Sequence, residues 1–125
     1  MLKRFLLVLF LPLLLAGCAT RMTNLTPLLQ VRNANNAYPV EVALASSEQA
    51  LRWDSVRAQV VVGADAYPMR GTLLMTNRWE GLVPVAPGAK SVTYRYRFDY
   101  QSNAFGKPKS GSCVSKEYTL RVQDK

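Results

Sequence analysis

A chain of 125 residues, 49% of them hydrophobic, is long enough for one domain with its own core. Its 16 Lys and Arg against 8 Asp and Glu give a formal net charge of +8, which favours anionic contacts: phosphate-bearing headgroups, acidic polysaccharide or an acidic protein face. Histidine is absent, which removes the commonest general base, the Ser-His and Cys-His nucleophile pairs, and the commonest metal ligand.

In chain order, Lys3 and Arg4 precede an apolar run from Phe5 to Leu15. That run is far shorter than the roughly 20 residues a helix needs to span a bilayer, and Pro12 disfavours a permanent membrane helix further. Leu15-Ala16-Gly17-Cys18 follows. The order of basic start, short apolar stretch, small residues and cysteine resembles the lipobox of a bacterial lipoprotein signal, the class cut by signal peptidase II. The resemblance implies a signal peptide over residues 1–17 and a diacylglyceryl thioether on Cys18, palmitate being the typical acyl chain. Ala19 stands where inner-membrane retention signals usually carry Asp, which resembles the outer-membrane-sorted class of a Gram-negative host. Removing Lys3 and Arg4 with the signal leaves 14 basic against 8 acidic residues. With Cys18 acylated, Cys113 is the one remaining thiol, so neither an intrachain disulfide nor a structural zinc site is expected. Cys113 then either packs as a small hydrophobe or pairs with another chain.

Residues 18–27, polar from Ala19 to Thr26 and ended by Pro27, are read as the lipidated N-terminus and a short tether, and residues 28–125 as the domain. Asn33-Ala34-Asn35-Asn36 is a turn cluster. Tyr38 to Ala45 alternates, with Val40, Val42 and Leu44 on one face. Ser46-Ser47-Glu48-Gln49 suits the cap of one helical turn leading to Trp53. Val56, Ala58, Val60 and Val62 alternate next and stop at Gly63-Ala64-Asp65. Tyr67 to Met75 reads as a further strand in which Pro68 marks an edge or a bulge. Trp79 to Val85 precedes the turn signal Pro87-Gly88. From Ser91, the residues Val92, Tyr94, Tyr96, Phe98 and Tyr100 share one face, and Thr93, Arg95, Arg97 and Asp99 the other. A loop from Ser102 to Gly111 leads to the last strand, with Tyr118, Leu120 and Val122 opposite Glu117, Thr119 and Arg121. About seven short strands with almost no helical periodicity predict an all-β fold, an antiparallel β-sandwich of immunoglobulin-like size, with a β-barrel as its rival.

The stretch from Trp79 to Tyr100, WEGLVPVAPGAKSVTYRYRFDY, resembles the later half of starch- and glycogen-binding β-sandwich modules. In those modules exposed aromatics stack on sugar rings while polar side chains bond hydroxyls. Trp53 and Trp79 are the candidate glycan-stacking residues, and each also suits a core anchor. The shared face of Tyr94, Tyr96, Phe98 and Tyr100 is the pattern of a core, and Tyr94 stands where many sandwiches carry a corner tyrosine. Arg95, Arg97 and Arg121, with Lys107 and Lys109 in the loop, predict a basic strip at one edge. That strip is either a solvated face or a docking surface for anionic lipid, glycan or protein. Alternating arginine and aromatic residues also suit single-stranded nucleic acid, but an export signal speaks against it, so no nucleic-acid partner is expected. Glu80 and Asp99 are the conceivable carboxylate pair, though nothing in their spacing singles them out. No glycine-rich phosphate loop occurs.

The chain as a whole resembles small β-rich bacterial envelope lipoproteins. The expectation is a non-enzymatic protein without cofactor or metal, anchored through Cys18 to the outer membrane and facing the periplasm. It would serve as an interaction subunit of an envelope assembly. The alternative is a lipid-anchored carbohydrate-binding module for peptidoglycan or polysaccharide. Exposure of the aromatic residues discriminates the two.

Overall fold

Most of the described residues lie in strands, the longest of them where apolar positions alternate. The computed structural model describes residues 20–47, 50–104 and 106–124. The signal segment, Cys18 and the centre of the expected helical turn, residues 48–49, lie outside them. Ten strands occur among the described residues: β1 (Thr20–Asn24), β2 (Leu29–Val31), β3 (Ala37–Ser46), β4 (Leu51–Val62), β5 (Asp65–Pro68), β6 (Arg70–Gly71), β7 (Arg78–Pro84), β8 (Ser91–Ala104), β9 (Lys107–Val114) and β10 (Tyr118–Gln123). One sheet runs β1-β3-β7-β6 and the other β2-β10-β8-β4-β5, with β9 pairing β8 beside β10. The protein is an all-β sandwich. Every pair is antiparallel except β2 with β10, which runs parallel and joins an early strand to a late one.

The core lies between the sheets and is built from the alternations themselves. Val40, Val42 and Leu44 of β3, Val56, Ala58 and Val60 of β4, Tyr94, Tyr96 and Phe98 of β8, and Leu120 and Val122 of β10 are all buried. Each such aliphatic or aromatic side chain contributes about 1.5–3 kcal/mol by leaving water. Trp79 of β7 meets Phe98 edge to face at 5.2 Å, a geometry worth about 0.5–1.5 kcal/mol beyond its area.

A polar seam crosses this core. The Tyr96 hydroxyl donates to Asn24 Oδ1 at 2.6 Å and lies 3.0 Å from Thr26 Oγ1, while Asn24 Nδ2 donates to the Tyr94 hydroxyl at 2.9 Å. Thr26 Oγ1 also accepts from the Glu41 amide at 2.9 Å. The Tyr94 hydroxyl therefore bonds a side chain 70 residues away and closes no corner in its own strand.

Three departures from the alternation have physical reasons. Residues 20–24, expected to belong to a tether, form β1, because the edge of β3 offers five residues of antiparallel register to an otherwise polar segment. Residues 67–75 are not one strand. The chain leaves one sheet at Pro68, which has no amide to donate, and enters the other at Arg70; residues 72–77 form a loop. The expected loop from Ser102 to Gly111 is a hairpin in which β8 runs on to Ala104 and β9 begins at Lys107. Gly106, at φ +81°, makes the turn between them.

Candidate functional site

The outer face of β4, β8 and β9 holds the most elaborate polar surface of the sandwich. It arises from an irregularity in β4. Arg52 pairs with Gln101 and Arg57 with Asp99, so β4 takes five steps where β8 takes two, and the excess bulges outward. Ser55 fastens this bulge. Its hydroxyl donates to the Arg52 carbonyl at 2.6 Å and accepts the Gln101 amide at 2.9 Å.

An open depression of about 740 Å³ lies against the bulge, lined by Arg52, Asp54, Arg57, Asp99, Gln101 and Ser110 among others. Two arginines and two aspartates cancel in charge there. Arg52 lies 3.7 Å from Asp54, and Asp99 accepts from Arg97 at 3.2 Å. Arg57, exposed, has no carboxylate within 4.0 Å among the described residues. Trp53, between the lining residues Arg52 and Asp54, is 41% exposed. On the far side Tyr100 lies over Gly111, its register partner; a Cβ at Gly111 would stand 2.7 Å from the ring. Planar polar groups and hydroxyls suit a ligand with many hydroxyls and no strong charge; Trp53 is not among the lining residues.

The residues singled out from the sequence are dispersed. Trp79 is 7% exposed and packed on Phe98, so it presents no stacking face. Arg95 and Arg97 project from the outer face of β8, where their partners on β4 are Val61 and Gln59. Arg121 is level with Ser91, about 13 Å along the strand from Arg95 at the usual 3.3 Å per residue. Lys107 and Lys109 stand opposite Ala104 and Ser102, in the register of β8 that faces the core further along and at the other end of the molecule. The five cations thus do not form one strip. Glu80 and Asp99 lie on the outer faces of different sheets, and Glu80 is held by Arg70 at 2.9 Å. They do not converge. Among the described residues, no group of three His, Cys, Asp or Glu stands close enough to hold a metal.

Cys113 is 4% exposed and is disulfide-bonded. This corrects the expectation that no disulfide forms. The only other cysteine in the sequence is Cys18, outside the described residues.

Two features escaped the sequence reading. The bulge was signalled by Arg52-Trp53-Asp54-Ser55, which breaks the alternation just before Val56. The loop of residues 72–77 carries Leu73 and Leu74, 86% and 94% exposed, within a segment whose apolar content had pointed to a strand.

No family model and no curated protein matches the chain. Among solved structures it is similar to a DUF4785 family protein from Legionella pneumophila, with 14% identity over 85% of this chain and a TM-score of 0.44. The chain spans 29% of that protein's length. It is also similar to murine CRIg, with 11% identity, 82% of this chain and 98% of that one covered, and a TM-score of 0.43. Neither likeness bears on activity.

Proposed function

We propose that the protein is a lipid-anchored, non-enzymatic subunit of a bacterial cell-envelope assembly, held at the outer membrane through Cys18 and working by contact rather than by chemistry. The supporting observation is the Leu15-Ala16-Gly17-Cys18 lipobox, set two residues before the first strand at Thr20. Two acyl chains make such an anchor effectively stable, at roughly 0.8 kcal/mol for each buried methylene. The lack of histidine and the separation of Glu80 from Asp99 favour a binding role.

The bridge at Cys113 has Cys18 as its one available partner in the sequence, and one sulfur cannot carry both a disulfide and a thioether, so the proposal requires a mature chain without that bridge. Mass analysis of the N-terminal peptide from protein matured in a Gram-negative host separates them. The expected result is a peptide beginning at Cys18 with the mass of its acyl groups, lost in a Cys18→Ser chain together with incorporation of labelled palmitate. A Cys18–Cys113 cross-linked peptide without acyl mass would overturn the proposal.

A second reading is favoured by Trp53, which is exposed and sits in sequence between two residues that line the neutral polar depression: a lipid-anchored module that holds a glycan. On insoluble peptidoglycan and a polysaccharide panel, glycan binding predicts retention that survives high salt and falls about two- to tenfold in a Trp53→Ala chain, roughly the loss of one stacking aromatic. Trp79→Ala is no control here, since it empties the core. Retention abolished by salt would reduce the effect to the basic surface, and no retention would discard the glycan reading.

A further inference from the structure

Four segments converge on one end of the sandwich. β1 starts there, with Thr20 opposite Ser46 at the end of β3. The loop of residues 72–77 lies there, because Arg78 pairs with Ala43 and the Leu44 amide donates to the Asn77 carbonyl at 2.9 Å. β4 begins there, with Leu51 opposite Ser102 and the Asn103 amide donating to the Ala50 carbonyl at 2.8 Å. The β8–β9 hairpin closes there, with Ala104 opposite Lys107.

This end is both apolar and basic. Leu73 and Leu74 are the most exposed of the large hydrophobic side chains. Their loop is tied, with the Met75 amide donating to the Thr72 carbonyl at 3.0 Å and the Thr72 amide to the Arg78 carbonyl at 2.9 Å. Leu74 has φ +66°, a left-handed conformation that a bulky side chain adopts only against steric resistance. The backbone is thus fixed in a shape that holds both leucines in water. On the neighbouring segments Arg21, Lys107 and Lys109 are exposed, and neither lysine has a carboxylate within 4.0 Å among the described residues. Of the acids in these segments, Asp54 of β4 lies 3.7 Å from Arg52, and Glu48 is outside the described residues.

We infer that this end docks on the phospholipid bilayer to which Cys18 is anchored, with Leu73 and Leu74 immersed at the interface and Lys107 and Lys109 against anionic headgroups. The inference rests on the lipoprotein reading proposed above. Chain length decides it: only Ala19 separates Cys18 from Thr20, and at most about 3.6 Å per residue puts the backbone at the start of β1 within about 7 Å of the backbone of Cys18. The end that carries Thr20 then has no room to stand away from the membrane. The leucine loop is two strands from β1, about 10 Å to the side, and β3 continues from Ala43 to Ser46 at the same height. Apolar side chains flanked by lysines are the usual interfacial pairing.

The test uses the full chain, matured in a Gram-negative host, with acylation of Cys18 verified by mass on the same sample. A Leu73→Trp substitution in a Trp53→Phe background is reconstituted into phosphatidylcholine vesicles with brominated acyl chains, with or without phosphatidylglycerol. Docking predicts that the new indole is quenched by the brominated chains and spared by aqueous iodide. Phosphatidylglycerol should raise the quenching, and changing Lys107 and Lys109 to Ser should lower the ratio of docked to undocked domain about fivefold per lysine. Quenching by iodide alone on an acylated chain would overturn the docking and leave the lipoprotein reading standing. Protection from both quenchers would mean that a second copy covers the loop, which also overturns it. A sample without acyl mass would sink the lipoprotein reading, and the docking with it.

Discussion

Tyr96 shows what a single hydroxyl does in this core. Its ring is fully buried in the centre of β8, and its oxygen still reaches Asn24 and Thr26 on the far side of the sandwich. Burial pushes the phenol above its ordinary value near 10, against the opposing pull of the Thr26 hydrogen bond. Tyr118 is raised too, by burial first and by the neighbouring Tyr94 second. The folded chain therefore keeps these protons to higher pH than the unfolded chain does. That part of the stability is intact below pH ~10 and is lost as pH climbs toward the folded values. Melting temperature should fall from about pH 10 upward, and a Tyr96→Phe chain should show a shallower fall. The same substitution should lower the urea midpoint at neutral pH by the equivalent of about 1–3 kcal/mol with an unchanged m-value, because Asn24 and Thr26 lose a partner within the core. An unaltered midpoint would mean that water replaces the hydroxyl.

At the scale of elements, what could be read from the sequence depended on whether one face of a strand is buried. β3, β8 and β10 were legible because a sheet with one dry face imposes a period of two on its side chains. β1, β2 and β9 were not. They are held by register with a neighbour rather than by apolar alternation, and Thr-Arg-Met-Thr-Asn or Lys-Pro-Lys-Ser-Gly looks the same in a loop as in an edge strand. The bulge in β4 was hidden for the same reason, since its existence depends on which residue of β8 lies opposite. Hence the core was visible in the sequence and the polar depression was not: its lining comes from β4, β8 and β9, brought together only by pairing. The β8–β9 pair permits a test of its own. Gly111 leaves room for the Tyr100 ring, and a Gly111→Ala methyl would have to displace ring atoms at 2.7 and 2.8 Å. Overpacking of this kind costs about 1–3 kcal/mol. Chemical denaturation should register that loss, along with an altered near-ultraviolet signal from the tyrosines; no change in either would mean that the ring swings aside freely.

At the scale of the molecule, the termini of the described sandwich lie at opposite ends. Thr20 starts beside Ser46, and β10 runs away from that end to finish at Gln123 beside Val31. If Cys18 is the anchor, the described chain ends on the face turned from the membrane. A short tag after Lys125 should then be open to protease on intact vesicles, whereas the Leu73–Leu74 loop should be cut only after the lipid is dissolved. Equal cleavage at both would argue for a domain that stands free of its bilayer. The parallel pairing of β2 with β10 has a consequence for manufacture. β10 is an interior strand, seated between β2 and β8, although it is the last of the strands to be synthesised. A chain threaded N-terminus first through a membrane channel therefore cannot complete its larger sheet until residues 118–123 have emerged. Until then Leu120 and Val122 are missing from the core, and the apolar faces of β8 and β4 are exposed to any holding factor in the compartment. If the chain is exported as proposed, the order of strands delays folding until transit is complete and keeps the chain slack while it is still being pulled through.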